Sequence, residues 1–279
     1  MIKISLQALS LQDEHKFGDD ILDAAFKMAS ELRLDGVDLE DRFMLDTSQA
    51  YLRNVRMRAL RLGLRLNYIG LYVNLRAGAD EIEDEVRRAK EVIGYMPHLG
   101  VQVLRLLGNN VPDGETDESF WPIERDRYRR IVDYAAPRGI TVGVHNHNHG
   151  AIPATGAQIV RLLEEIDGPY LAGILDTGQF RGSPGANGGG GDEQGHASEE
   201  LYRSIEIAAP YAQIVRTKFY RIVDGEEKWL DYRRIVPVLK RAGFNGWFSI
   251  VYEGKGSGVM SSEAVPKAVA HLREVLGAV

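Results

Sequence analysis

Hydrophobic and polar positions follow two periods along the chain, and the two alternate. Short β-branched or Leu-rich runs lie at residues 2–6, 37–39, 64–71, 101–107, 141–145, 171–175, 214–217 and 248–251, and each reads as a strand. Between them lie longer stretches in which apolar residues recur at helical spacing. The clearest is 79–96, where Ile82, Val86, Ala89, Val92 and Ile93 form one stripe. Its outer face carries Glu83/Arg87 and Asp84/Arg88, expected to pair at i,i+4. Gly36, Gly63, Gly100, Gly139 and Gly243 each stand between a helical stretch and the next strand run. There a glycine is expected to close the helix in the left-handed conformation.

Eight strand runs alternating with helices predict an α/β fold, a single (β/α)8 TIM barrel spanning 1–279 as one domain. An open doubly wound sheet shares the alternation; the count of eight favours the barrel. In a barrel of this kind, chemistry sits at the C-terminal ends of the strands, so the residues to weigh are those that end each run.

The fifth run ends in His145-Asn-His147-Asn-His149, placing three of the seven histidines within five residues. Side chains alternate along a strand, so the three share one face if the strand continues. Imidazole serves as acid, base or metal ligand near neutral pH. The sixth run ends in Asp176-Thr-Gly178-Gln179; a carboxylate after an apolar strand requires a cation, a metal or donors, or else it caps the turn. The seventh run carries Arg216 and Lys218 on one face, which is either the barrel interior or a solvated rim. The eighth leads into Tyr252-Glu253-Gly254 and then Gly256, Ser257 and Gly258, a weak candidate for an anion-binding loop. Glu40 and Asp41 end the second run as hydrogen-bonding groups or surface charges. The stretch 181–197 holds four consecutive glycines and directly follows Asp176, so it reads as a lid over the site or as a passive insertion.

Composition narrows the partners. With 34 basic and 40 acidic residues the net charge is −6, which argues against nucleic acid and anionic membranes. There is no cysteine, which removes disulfides, thiolate metal sites and cysteine nucleophiles and fits a cytoplasmic setting. No apolar run is long enough for a membrane span, and the N-terminus enters a strand pattern at once, without a secretory signal.

The motifs Gly36-Val-Asp-Leu-Glu40, Asn146-His147, Asp176-Thr-Gly178, Thr217-Lys218-Phe219-Tyr220 and the closing Asp231-Tyr-Arg-Arg-Ile to Tyr252-Glu253-Gly254 resemble the xylose isomerase-like TIM barrel superfamily of sugar phosphate isomerases and epimerases, with its AP endonuclease 2 relatives. The resemblance covers essentially the whole chain. It implies a divalent ion (Mn, Mg or Zn) held by Glu, Asp, His and Glu on strands five to eight, the two Glu also moving protons. Here those places fall on His145, Asp176, Arg216 and Val251, and the His that usually follows the Asp is Gln179. Arg is always protonated and does not ligate metals, so the usual metal-dependent chemistry is damaged. A rebuilt site on His145, His147 and Asp176 is the metal alternative.

The reading that results is an enzyme acting on a carbohydrate or related polyhydroxy carbonyl compound by proton abstraction beside the carbonyl: isomerisation, epimerisation or elimination. His145 or His147 is the expected base, Arg216 and Lys218 hold the enolate oxygen, and Asp176 fixes a neighbouring group. Glu40, His149, Gln179, Tyr252 and Glu253 are expected to bind substrate. A catalytically inactive barrel that binds a sugar or supports a partner is the second reading, and an AP-endonuclease-like hydrolase the third. Homo-oligomerisation is compatible with all three.

Overall fold

The computed structural model describes residues 2–72, 79–184, 197–254 and 258–277. Its strands are β1 (Lys3–Gln7), β2 (Gly36–Glu40), β3 (Arg65–Gly70), β4 (Val103–Leu107), β5 (Thr141–His145), β6 (Leu171–Asp176), β7 (Ala212–Phe219), β8 (Ile222–Val223), β9 (Glu226–Glu227) and β10 (Trp247–Tyr252). β1 through β7 pair in chain order, and β10 pairs in parallel with both β7 and β1, which closes an eight-stranded barrel. The closure excludes the open doubly wound sheet. The short strands β8 and β9 form a separate antiparallel hairpin after β7. Outside the barrel run α1 (Asp19–Glu31), α2 (Gln49–Arg61), α3 (Ala79–Leu99), α4 (Asp117–Ala135), α5 (Gly156–Ile166), α6 (Glu199–Ala208), α7 (Tyr232–Arg241) and α8 (Ser261–Gly277).

Strand alternation divides the sequence between two environments. Ile4, Leu6, Val37, Leu39, Leu104, Leu106, Val142, Val144, Leu175, Val215, Phe248 and Ile250 join the large core between strands and helices. The residues between them face the barrel interior, and many are polar: Ser5, Gln7, Asp38, Glu40, Arg105, His145, Asp176, Arg216, Lys218 and Ser249 are all buried. The interior has only a small apolar floor, made by Tyr68, Ile174 and Ile214 with Val103 and Trp247. Of the stretch 181–197, read above as a lid or a passive insertion, residues 185–196 lie outside the described residues, as do Gly256 and Ser257 of the anion-loop reading.

Two local expectations are corrected. Gly63, Gly100, Gly139 and Gly243 do adopt φ between 67° and 80°, but Gly36 does not; the turn after α1 is made by Arg33 at φ 53°. Gly36 is instead the first residue of β2, where an added Cβ would stand 2.4 Å from the Arg65 carbonyl oxygen. Nor do the two i,i+4 pairs of α3 form. Arg87 binds Asp84 and Glu91, Glu83 binds Arg130 on α4, and Arg88 reaches Asp41 beyond β2. Partners on neighbouring elements compete successfully with such pairs, which contribute only about 0.2–0.5 kcal/mol each.

The end of β4 is held by a buried ionic anchor. Arg127 of α4 pairs with Glu124 and Glu85 and donates from Nη2 to the Leu107 carbonyl at 2.6 Å. Directly after it, Gly108 packs so closely on the loop after β5 that an added Cβ would lie 1.8 Å from the Ile152 carbonyl oxygen. A backbone atom cannot rotate away, so Gly108→Ala is expected to lower stability by about 1–3 kcal/mol, as overpacking does elsewhere. A urea midpoint equal to wild type contradicts this packing.

Candidate active site

The inward side chains form a closed circuit across the barrel. Gln7 Nε2 donates to Glu40 Oε1 at 2.9 Å and to the Tyr68 hydroxyl at 3.1 Å. Arg105 Nη2 donates to both Glu40 oxygens at 2.8 Å, and Arg105 Nη1 lies 3.2 Å from His145 Nδ1. His145 Nε2 meets Asp176 Oδ2 at 3.3 Å. Arg216 donates from Nε to the same oxygen at 2.9 Å and from Nη1 to the Tyr68 hydroxyl at 2.7 Å. Lys218 Nζ stands 3.5 Å from Asp176 Oδ2 and 2.8 Å from Glu253 Oε1. Below the circuit, Asp38 accepts from Ser5 Oγ and Asn67 Nδ2 at 2.7 and 2.8 Å.

The neighbouring backbone explains how these long side chains fit. An added Cβ on Gly70 of β3 would stand 2.3 Å from an Arg105 guanidinium nitrogen, so the bare glycine makes room for the Arg105 fork. Gly178 does the same for Lys218, whose Cγ would lie 2.5 Å from an added Cβ. Asn146 acts as an extra rung. Its Oδ1 accepts from the Asp176 amide at 2.8 Å and its Nδ2 donates to the Asp176 carbonyl at 2.9 Å. Thr177 Oγ1 accepts from the Lys218 amide at 3.0 Å, and the Tyr232 hydroxyl donates to the Lys218 carbonyl at 2.5 Å. The ends of β5, β6 and β7 are thereby tied together.

Burial sets the electrostatics. The side chains of Glu40, Arg105, His145, Asp176, Arg216 and Lys218 are each at most 4% exposed. Charges so far from water are tolerated only when paired. Burial by itself pushes the Asp176 carboxyl up. Lys218, the His145 hydrogen bond and Arg216 together overcome this and hold it far below the usual carboxylate range. Burial drives His145 well below its ordinary value, against the pull of Asp176. A guanidinium offers only donors, so His145 Nδ1 must accept from Arg105, and Nε2 carries the proton given to Asp176. Both ring nitrogens are therefore engaged.

His147 differs. The chain leaves β5 after His145, so the three histidines do not continue one strand face. His147 is partly buried, with its ring 5.0 Å from that of the exposed His149. Burial, helped by His149, lowers its pKa to about 4. Its Nδ1 has no hydrogen-bond partner among the described residues, and the same holds for Asn148 Oδ1 and Gln179 Oε1. Asn148 Nδ2 meanwhile reaches Ser183 Oγ at 2.7 Å and the Phe180 carbonyl at 3.2 Å, binding the β5 and β6 loops together.

Of the other expected binding residues, Glu40 lies inside the circuit and Glu253 holds Lys218. Tyr252 donates its hydroxyl to the Val259 carbonyl at 2.8 Å. Asp41 accepts from the Tyr72 amide and pairs with Arg88. Arg105, Tyr68 and Gln7 were not singled out from the sequence. The signal for Arg105 was present: a guanidinium between Leu104 and Leu106 in an apolar run has to find a carboxylate.

The metal set His145, His147 and Asp176 is not assembled. Asp176 Oδ2 already accepts from Arg216 and His145 and is ion-paired with Lys218 at 3.5 Å, and Oδ1 accepts from the Gly178 amide at 2.9 Å. His145 offers no free lone pair, Arg216 offers only donors, and Val251 offers no polar atom. Among the described residues no group of three or more His, Asp or Glu is placed to hold a metal ion. The donor chemistry does not fit the divalent ion that the resemblance implies.

An all-parallel closed barrel with its polar residues gathered at the C-terminal strand ends defines a class that the comparisons make specific. Residues 26–275 match the xylose isomerase-like TIM barrel family, and the chain belongs to it. It is 26% identical to an inosose dehydratase of Geobacillus thermodenitrificans over 178 residues, which are 57% of this chain and 56% of that enzyme. The chain thus spans little more than half the length of that relative. In structure it resembles a D-psicose 3-epimerase determined in the presence of D-fructose, with a TM-score of 0.74, 14% identity and coverage of 99% of this chain and 97% of that one. It also resembles a xylose isomerase-like barrel from Mycobacterium smegmatis in complex with magnesium, with a TM-score of 0.69, 15% identity and coverage of 99% and 97%. Among the described residues no helix is long and apolar enough to cross a membrane.

Asp176→Asn removes the charge that Arg216 and Lys218 share, and is expected to destabilise the protein by about 3–5 kcal/mol, the range for breaking a buried pair. A carboxyl whose pKa is lowered on folding stabilises above its unfolded pKa and loses that effect as pH falls through the folded value. The wild type should therefore retain this contribution down through about pH 4 and lose it only in stronger acid. Urea unfolding of both proteins between neutral pH and acid measures this; equal stabilities at neutral pH contradict it.

Proposed function

We propose that the chain is an enzyme that binds a polyhydroxy carbonyl compound at the β5, β6 and β7 ends and removes a proton beside the carbonyl. The observation that carries this is a group of buried acceptors without partners among the described residues, His147 Nδ1, Asn148 Oδ1 and Gln179 Oε1, on the same strand ends as the Lys218 ammonium. Sugar hydroxyls are donors that suit such acceptors, and an ammonium suits an oxygen on which charge develops.

His147 is the base in this mechanism. At neutral pH it is uncharged, and with the proton on Nε2 its buried Nδ1 lone pair has no partner among the described residues. It takes the proton from the carbon next to the carbonyl. The C–H electron pair becomes the enolate double bond, and the carbonyl oxygen takes the charge, held by Lys218. Return of the proton gives an isomer or epimer. Loss of a β-hydroxyl, protonated by His147 as it leaves, gives water and an unsaturated ketone. The similarity to an inosose dehydratase supports this second outcome, elimination. His145 is a positioning residue, fixed between Arg105 and Asp176, and Arg216 holds Asp176 in place. No step passes through a metal. The cysteine-free, acidic composition supports a cytoplasmic small-molecule enzyme without a nucleic-acid partner.

One observation favours a second reading, a barrel that binds such a compound without turnover: every charged member of the interior circuit is already paired within the protein. The same experiment separates the two. Purified protein is incubated with ketoses and inososes and products are followed by NMR. Turnover that falls roughly 10²–10⁴-fold in His147→Ala, the usual value of a general base, supports the enzyme. Saturable binding with no turnover supports the binding barrel.

The pH profile gives a further check. The base is active when deprotonated, and the His147 pKa is about 4. The acid limb of kcat/KM is expected to fall near that value and to be flat from about pH 5.5 to 7.5. A limb near 6.5, the ordinary imidazole value, contradicts His147 as the buried base.

A further inference from the structure

The buried anchor at the end of β4 sets two carboxylates against one guanidinium. The side chains of Glu85, Glu124 and Arg127 are at most 5% exposed. Glu124 takes the guanidinium with both oxygens: Arg127 Nε donates to its Oε2 at 3.0 Å, and Nη2 donates to its Oε1. Glu85 is left with a long contact, 3.4 Å from Arg127 Nη1 to its Oε2. Arg88, three residues further along the same helix, binds Asp41 instead at 2.8 Å. The charged groups that act on Glu85 are therefore Arg127 and Glu124 of α4 and Arg88 of its own helix, and none of the cations is its own. Burial raises the Glu85 pKa against the pull of Arg127. A buried carboxylate without a counter-charge of its own is costly, and taking up a proton removes the cost.

Two orphaned atoms stand at the same place. Asn109, fully buried after β4, donates from Nδ2 to Glu85 Oε2 at 2.9 Å. This bond joins two flat groups, a carboxamide and a carboxyl, and each has one further oxygen: Asn109 Oδ1 and Glu85 Oε1. Both are buried acceptors without partners among the described residues. Two acceptors cannot bond to each other. One proton between them closes a ring of two hydrogen bonds, the amide donating on one side and the acid on the other.

We propose that Glu85 is a neutral acid in the protein folded at neutral pH, that it gives its Oε1 proton to Asn109 Oδ1, and that this pair is a positioning device for the loop that carries His147. The path from the pair to that loop is short. The Asn109 carbonyl accepts from the Ile152 amide at 3.1 Å, and Asn110 bridges to Ala151. In the same loop the Pro153 carbonyl accepts from the His147 amide at 3.0 Å. Thus α3 holds Asn109, Asn109 holds the loop after β5, and that loop holds the backbone of His147. The value of this for catalysis rests on the function proposed above; the proton and the loop contacts do not, so the two fail separately.

Urea unfolding, infrared spectroscopy and amide hydrogen exchange of the full chain test this in wild type, Glu85→Gln and Glu85→Ala. Glutamine places an N–H where the acid places its O–H and keeps both bonds. At pH 7, Glu85→Gln is expected to match or exceed the wild-type urea midpoint, and Glu85→Ala to fall below both. The wild type should show a protonated-carboxyl carbonyl band that Glu85→Gln lacks. A carboxyl whose pKa is raised on folding stabilises fully below its unfolded pKa and loses this as pH rises through the folded value. Glu85→Gln should therefore gain on the wild type as pH rises from about 4.5. The Ile152 and His147 amides should exchange severalfold faster in Glu85→Ala and at wild-type rates in Glu85→Gln. A Glu85→Gln midpoint as low as that of Glu85→Ala, with no carbonyl band lost, makes Glu85 an ionised partner of Arg127 and overturns the proposal. A wild-type midpoint that falls on chelation places a metal cation between the two oxygens and overturns it as well. Unchanged exchange of Ile152 and His147 in Glu85→Ala overturns the positioning role. None of these readouts needs a substrate, so they decide the role of Glu85 whether or not the barrel turns over a sugar.

Discussion

The carboxylate of Asp176 is the point on which the barrel interior depends. It sits at the end of β6 with no exposure to water, where an unpaired charge is costly. Its oxygens accept from Arg216, His145 and the Gly178 amide, and Lys218 is ion-paired with it. Each of those groups needs a second partner of its own, and these lie further round the barrel. Arg216 reaches Tyr68, His145 reaches Arg105, Arg105 reaches Glu40, and Lys218 reaches Glu253. With Gln7 bridging Glu40 and Tyr68, one buried charge thus connects side chains from seven of the eight barrel strands.

That organisation decides which groups remain for a ligand. Arg216 occupies the place where the resemblance implies a metal-binding imidazole, and with Lys218 and His145 it surrounds Asp176 Oδ2. His145 is locked in one tautomer between a guanidinium and a carboxylate. The buried acceptors without a partner among the described residues lie one step above: His147 Nδ1, Asn148 Oδ1 and Gln179 Oε1 on the β5 and β6 ends. The family's barrel here carries ammonium and guanidinium groups that take up the Asp176 carboxylate.

The barrel was legible in the sequence because its signals are local. Strand runs, a helical stripe and four of five helix-closing glycines follow from short-range periodicity and backbone geometry. The pairing of Arg216 with Lys218 on one face was equally local, but which face points inward became known only once β10 closed the ring between β7 and β1. Arg105, Tyr68 and Gln7 escaped notice because their partners lie 33 to 181 positions away; each looks unremarkable in its own run. The histidine cluster misled in the opposite direction. Its spacing suggested three equivalent groups, whereas the strand ends at His145 and places one inside, one at the rim and one in solvent. The acidic and basic alternation on α3 suggested Glu83/Arg87 and Asp84/Arg88, whereas Glu83 and Arg88 found partners on neighbouring elements and Arg87 paired within the helix with Asp84 and Glu91.

The central claim is that the mouth of this barrel removes a proton from the carbon beside a carbonyl, with His147 as the base. Solvent-exchange NMR tests it most directly, because exchange requires only the first step and not the correct final product. Keto-sugars and inososes, neutral and anionic, are incubated with the protein in deuterium oxide. The account predicts deuterium at the carbon next to the carbonyl of at least one of them, and loss of that signal in His147→Ala. A substrate that binds saturably at the mouth yet gains no deuterium, or exchange that continues undiminished without His147, would contradict it.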